Sequence, residues 1–302
     1  MEIPVFTVDA FARLPFRGNP AAVCPLAHGL SDELYQKIAA EMNLSDTAFI
    51  TRLDPSDSFT TGSKFSLRWF TPKTEVNMCG HATLASAAVL FQHKQNTNST
   101  VVFETRSGAL SVSRQGRGYV MDFPLSPPTE QDPNDFRDVI KVRDVPAAVG
   151  THPVQDVSLC STTKNLLVRL ADSCDRSVLT SLNVNPFTLQ ISERSGRVMG
   201  VIVTVKGSKD EQPGYDFLSR YFAPWYGVPE DPVTGSTHTV LGSYWSEKLG
   251  KKKMLAYQCS SRGGELQLEV RDDGRITMAG QTVTVLQGTI TLQLPAHGER
   301  NV

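Results

Sequence analysis

Arg68-Trp69-Phe70-Thr71-Pro72 is followed by Cys79-Gly80-His81-Ala82-Thr83, and the same order returns as Arg220-Tyr221-Phe222-Ala223-Pro224 and Thr234-Gly235-Ser236-Thr237-His238. Pro72 and Pro224 are 152 positions apart, Gly80 and Gly235 155. An aromatic strand, a proline and a glycine-led helix recur at about half the chain length, which marks a duplicated domain. After the first glycine, Ala82 to Phe91 is small or apolar on almost every side, as in a helix enclosed by other structure. After the second, Thr237 to Leu249 carries Val240, Leu241, Tyr244, Trp245 and Leu249 on one face and breaks at Gly250.

Around these segments, short strand-like runs dominate. Val5 to Phe11, Val101 to Thr105, Ala109 to Ser113, Tyr119 to Phe123, Leu166 to Leu170, Val201 to Val205 and Leu266 to Val270 are rich in β-branched residues and separated by turn formers. Two further runs, Val283 to Leu286 and Ile290 to Leu294, flank Gln287-Gly288. The close spacing favours antiparallel or mixed sheets over a βαβ series. Ser31 is positioned as an N-cap, with Leu34, Ile38 and Met42 following on one helical face. Pro124, Pro127, Pro128 and Pro133 mark a linker. We therefore expect an N-terminal domain over 1–124 and a C-terminal domain over 125–302, with the last strands able to return to the first. Pro295 to Val302 reads as a loose tail.

The chain has 302 residues, with 30 Lys+Arg against 31 Asp+Glu. At that balance nothing electrostatic draws it to nucleic acid or to an anionic membrane. No apolar run reaches the ~18 residues of a membrane span. The start, Met1-Glu2-Ile3-Pro4, lacks the basic region of a signal peptide. Five scattered cysteines without a C-x-x-C pair read as reduced thiols of a cytoplasmic protein, neither a disulfide framework nor a zinc site. No G-x-G-x-x-G, P-loop or G-x-S-x-G occurs, so no nucleotide cofactor and no hydrolase elbow is expected.

The duplication has a chemical consequence. Each glycine leads residues with backbone N–H groups at a helix start, where the dipole amounts to roughly half a positive charge. Facing each other across one cleft, Gly80 and Gly235 would hold an anion between two dipoles; the alternative is that both merely tighten turns. Cys79 at a helix start is expected to have a lowered pKa, as a base or nucleophile, or else to be a small buried thiol. His81 can hydrogen-bond a substrate or shuttle protons. Asp231, Thr234 and Ser236 offer an acid and two hydroxyls, though Asp231 or Ser236 also suits a helix cap. Asp46, between the first helix and a strand, reads on its own as a turn residue.

Phe16-Arg17-Gly18-Asn19-Pro20-Ala21-Ala22-Val23, Met42 to Phe49, Arg68 to Pro72, Gly80 to Thr83, and Asp231 to Ser236 occur in this order. Together they resemble the phenazine-biosynthesis isomerase (PhzF) family from residue 2 to about 295. The resemblance implies an α+β fold of the diaminopimelate-epimerase-like kind. In it, two pseudo-symmetric domains each wrap a curved, mostly antiparallel or mixed sheet around a central helix, with the site between them. It also implies that Asp46 is the general acid/base, where the family usually has Glu, one methylene longer. By the same resemblance Gly80, His81, Asp231 and Ser236 contact substrate, and no metal or organic cofactor is needed. Relatives in the broader superfamily oppose two thiols; Cys79 matches the first, but Thr234 stands where the second would be.

The expected function is a cofactor-independent isomerase moving a proton on a small carboxylate-bearing substrate. Asp46, His81 and Asp231 are its catalytic residues; Gly80, Gly235, Ser236, Cys79 and Thr234 bind substrate. Two alternatives follow from the resemblance. One is a one-base dehydratase using Cys79 opposite Thr234, as in the 3-hydroxyproline dehydratase group. The other is a catalytically degenerate binding module, with a WD-repeat protein as partner. Family members also suggest a homodimer.

Overall fold

The computed structural model describes residues 1–140, 150, 152–208 and 214–292; the expected tail Pro295 to Val302 lies outside the described residues. In the first half, Glu2–Ala10 pairs antiparallel with Asn19–Leu26, which pairs parallel with Asp46–Arg52. Lys64–Phe70 follows antiparallel, then Thr100–Thr105 in parallel, then Gly108–Gln115 and Gly118–Pro124 antiparallel. The second half repeats the series. Val154–Cys160, Asn165–Leu170, Gly200–Lys206, Phe217–Ala223, Lys253–Gln258, Gly264–Val270 and Arg275–Gly280 pair in the same order and senses. The fold is α+β and diaminopimelate-epimerase-like, two copies of one mixed sheet, each around its own helix.

Two exchanges join the copies. Gly118–Pro124 pairs with Arg275–Gly280, and the last described strand, Thr282–Thr291, returns to Glu2–Ala10. That strand runs straight through Gln287-Gly288, where the alternation of short runs suggests an interruption. Gly288 sits opposite Val5 in a ladder covering Glu2 to Ala10, and the partner strand holds it extended.

Each sheet closes on a helix whose composition suits its place. All nine residues of Gly80–Ala88 are buried. Alanines and glycine keep it slim, so the strands Glu2–Ala10, Asn19–Leu26 and Asp46–Arg52 pack directly on it. Phe65, Leu67 and Trp69 turn into the same core at the two-residue period of a strand, each contributing about 1.5–3 kcal/mol by leaving water. In the second half, Gly235–Leu249 buries Val240, Leu241, Tyr244 and Trp245 and ends at Gly250, in the left-handed conformation at φ 64°. Trp245 stacks on Phe217 at 5.7 Å and donates its Nε1–H to Thr204 at 3.0 Å, so its polar edge is satisfied inside the core.

One pair of contacts fixes how each helix is approached. Arg68 forms a bidentate pair with Glu75, both bonds 2.7 Å, and stacks over Phe70. Arg220 does the same with Glu230, at 2.7 and 2.8 Å, and stacks over Phe222. Each fork ties the aromatic strand to the segment leading into the helix. The second connection is three residues longer, and it contains the short turn Pro224–Tyr226.

Candidate active site

The two copies meet at the starts of their central helices. A methyl group added to Gly80 would lie 2.8 Å from the Cα of Gly235, and one added to Gly235 would lie 2.9 Å from the Cα of Gly80. Only glycine permits this backbone-to-backbone approach. The helices Asp32–Met42, Arg176–Ser181 and Pro186–Ser192 are capped by the side chains of Ser31, Asp175 and Asn185. The two central helices begin at Cys79 and Thr234, and neither side chain caps them. Their leading amides border a cleft of about 560 Å³ between the halves. Asp231 and Ser236, either of which suits a cap on sequence grounds, are not used as one.

All eight residues expected at the site line this cleft: Asp46, Cys79, Gly80, His81, Asp231, Thr234, Gly235 and Ser236. Among the described residues, no lysine or arginine lines it. A helix start carries roughly half a positive charge at its leading amides.

Asp46 begins the strand Asp46–Arg52, beside the helix start. Its Oδ2 lies 3.1 Å from Cys79 Sγ, and its buried Oδ1 has no hydrogen-bond partner among the described residues. A buried carboxylate oxygen without a donor disfavours the charged form of the acid. Burial raises this acid to about 7; the Cys79 hydrogen bond opposes the rise and the charge of Asp231 adds to it. Asp231, also raised by burial, stands at about 6, with hydrogen bonds from Thr234 and Asn19 pulling the other way.

One expectation needs correction. The Cys79 thiol is not acidified by its helix start; burial and the neighbouring Asp46 push it well above its ordinary value. His81 is driven down to about 3 by burial, which favours the neutral, hydrogen-bonding ring. It sits 3.3 Å from Cys79 Sγ through Nδ1 and 3.2 Å from Ser45 Oγ through Nε2. Its 3.7 Å approach to Asp46 is therefore no ion pair.

The Thr234 hydroxyl donates to Asp231, which orients the acid and occupies a group expected to bind substrate. Three residues not singled out from sequence complete the site. Asn19 bridges to Asp231 at 2.8 Å, Ser45 bridges Asn19 to His81, and Gln258 holds Thr234 N–H at 2.9 Å and the Asp231 carbonyl at 2.7 Å. Asn19 and Ser45 lie inside stretches that carry the family resemblance; nothing in the sequence marks Gln258. Asp46, Cys79 and His81 also offer three ligand atoms within 4.8 Å of one another, so a cation could be held there once the thiol proton is displaced.

The chain belongs to the PhzC-PhzF family of phenazine biosynthesis-like proteins, whose model matches residues 8–288. It is 56% identical over 292 residues to a mouse phenazine biosynthesis-like domain-containing protein 2, covering 96% of this chain and all of that one. To an uncharacterized isomerase of Halalkalibacterium halodurans it is 42% identical over 297 residues, covering 97% of this chain and all of that one. A crystal structure of a PhzF-family phenazine biosynthesis protein from Enterococcus faecalis superposes with a TM-score of 0.81 at 34% identity, covering 97% of this chain and 100% of that one.

Proposed function

We propose that the protein is a cofactor-independent isomerase that moves a proton on a small substrate bearing one carboxylate. Membership of a family with isomerase-named relatives supports an isomerase-type enzyme. The observation that carries the finer reading is the pairing of two uncapped helix starts with Asp46 on one cleft wall. The leading amides of Gly80, His81, Gly235 and Ser236 would hold the carboxylate, and negative charge spreading into it from a neighbouring carbanion would be stabilised by the same dipoles.

Asp46 takes the proton and returns it at another carbon of the same face. A carboxyl near 7 is matched to this work, since at neutral pH both its acid and base forms are populated. His81 stays neutral and Asp231 completes the polar wall. The same reading treats 1–124 and 125–302 as two epimerase-like domains, with the last strand lent back to the first.

The thiol-base alternative draws support from Cys79 and Thr234 holding equivalent places before the two glycines. Against it stands the raised thiol, a poor base beside Asp46. Co-crystallisation with small aromatic or cyclic carboxylates tests the binding half of the proposal. The expected density is a carboxylate on the amides between Gly80 and Gly235; a ligand bound elsewhere, or none at saturating concentration, overturns it.

A further inference from the structure

Asn19 opens the strand Asn19–Leu26 and is wholly buried. Its Nδ2 lies 2.8 Å from Asp231 Oδ1 and 2.9 Å from the carbonyl oxygen of Val233. A carbonyl only accepts, so the amide nitrogen must face Val233 and the amide oxygen must face Ser45. Ser45 Oγ is 3.0 Å from that oxygen and 3.4 Å from the Pro20 carbonyl oxygen, both acceptors again. Its single proton goes to one of them, and a lone pair is left for His81 Nε2 at 3.2 Å. Nε2 must then carry the hydrogen. In a neutral ring Nδ1 is bare, and it faces Cys79 Sγ at 3.3 Å.

We propose that Asn19 and Ser45 are positioning residues that hold His81 as its Nε2–H tautomer, with the Nδ1 lone pair directed at the Cys79 thiol. Two acceptors, Nδ1 and Asp46 Oδ2, then compete for one thiol proton. The thiol lies 3.1 Å from Asp46 Oδ2 and 3.3 Å from His81 Nδ1. The wire begins at Asp231, so an acid in one half sets the polarity of hydrogen bonds around the acid in the other.

The consequence for turnover rests on the isomerase reading, but the tautomer does not, and it is measured in the free protein. Histidine labelled with 15N, read by long-range proton–nitrogen correlation near pH 7.5 and assigned through His81→Gln, reports which ring nitrogen is protonated. In the wild type the expected result is a protonated Nε2 and a bare Nδ1. Ser45→Ala is expected to populate the Nδ1–H form while the amide spectrum away from the site stays in place, and Ser45→Thr, which keeps the hydroxyl, to restore the wild-type pattern. A wild-type His81 protonated on Nδ1 or on both nitrogens overturns the proposal, and so does an unchanged tautomer in Ser45→Ala. None of these readings depends on substrate, so failure here is separable from failure to find isomerase activity.

Discussion

The two halves share every strand pairing around the central helices, yet they differ where those helices meet. Thr47 pairs with Phe70 and Val201 with Phe222, so Gly200 is the second half's counterpart of Asp46. The Arg68–Glu75 and Arg220–Glu230 forks make Val76 the counterpart of Asp231. Cys79 corresponds to Thr234, and His81 to Ser236. The space an acid would need at position 200 is occupied: a methyl group there would fall 2.2 Å from the Tyr221 hydroxyl and 2.5 Å from the Asn165 amide oxygen. The two halves present matched helix ends but unlike acids, Asp46 on one side and Asp231 on the other. Under the proposed function Asp46 moves the proton, which leaves and returns on one face of the substrate.

The comparison can be broken most severely at Asp46. Asp46→Asn is expected to lower proton-transfer turnover by about 10²–10⁴-fold, the usual worth of a positioned acid/base. Asp231→Asn, which leaves the unpartnered oxygen of Asp46 in place, should lose less. The shared seam comes next. Gly80→Ala and Gly235→Ala each force a methyl against the facing backbone, and each should cost about 1–3 kcal/mol in urea unfolding. Near-equal costs would sharpen the picture of a symmetric contact; a cost at one glycine only would break it.

Smaller effects separate thiol from acid. Cys79→Ser keeps a donor beside Asp46 and should hold turnover within about tenfold, or ~1.4 kcal/mol, whereas Cys79→Ala leaves the carboxyl unsupported and should lose more. A thiol base would make both variants equally inactive. A further effect lies in stability. Asp46 is raised from the usual 3.8 to about 7, so between those values the folded protein binds more protons than the unfolded chain. Stability contributed by the neutral acid is therefore present at low pH and lost as pH rises towards 7. Asp46→Asn removes that titration, and its melting temperature should gain on the wild type progressively from pH 4 to pH 7.

The repeat made the frame legible because aromatic, proline and glycine positions leave marks in sequence. Ser31 as a cap and the enclosed helix after Gly80 could be read for the same reason. Contacts between distant segments could not. That Gly80 and Gly235 touch, or that Asn19 reaches Asp231 across 212 positions, depends on how the copies are docked. A helix start promises a field that would acidify Cys79, while burial decides which charges survive in it. Gly288 misled in a simpler way, since a glycine that permits a turn does not demand one when a neighbouring strand holds it extended.

Deuterium incorporation from D2O into a panel of small carboxylates tests the central claim most directly, with wild type and Asp46→Asn run side by side. We expect the wild type to place deuterium on one face of its substrate with no racemisation, and Asp46→Asn to place none. Equal incorporation by both proteins, or label entering from both faces, would contradict a site built around one acid.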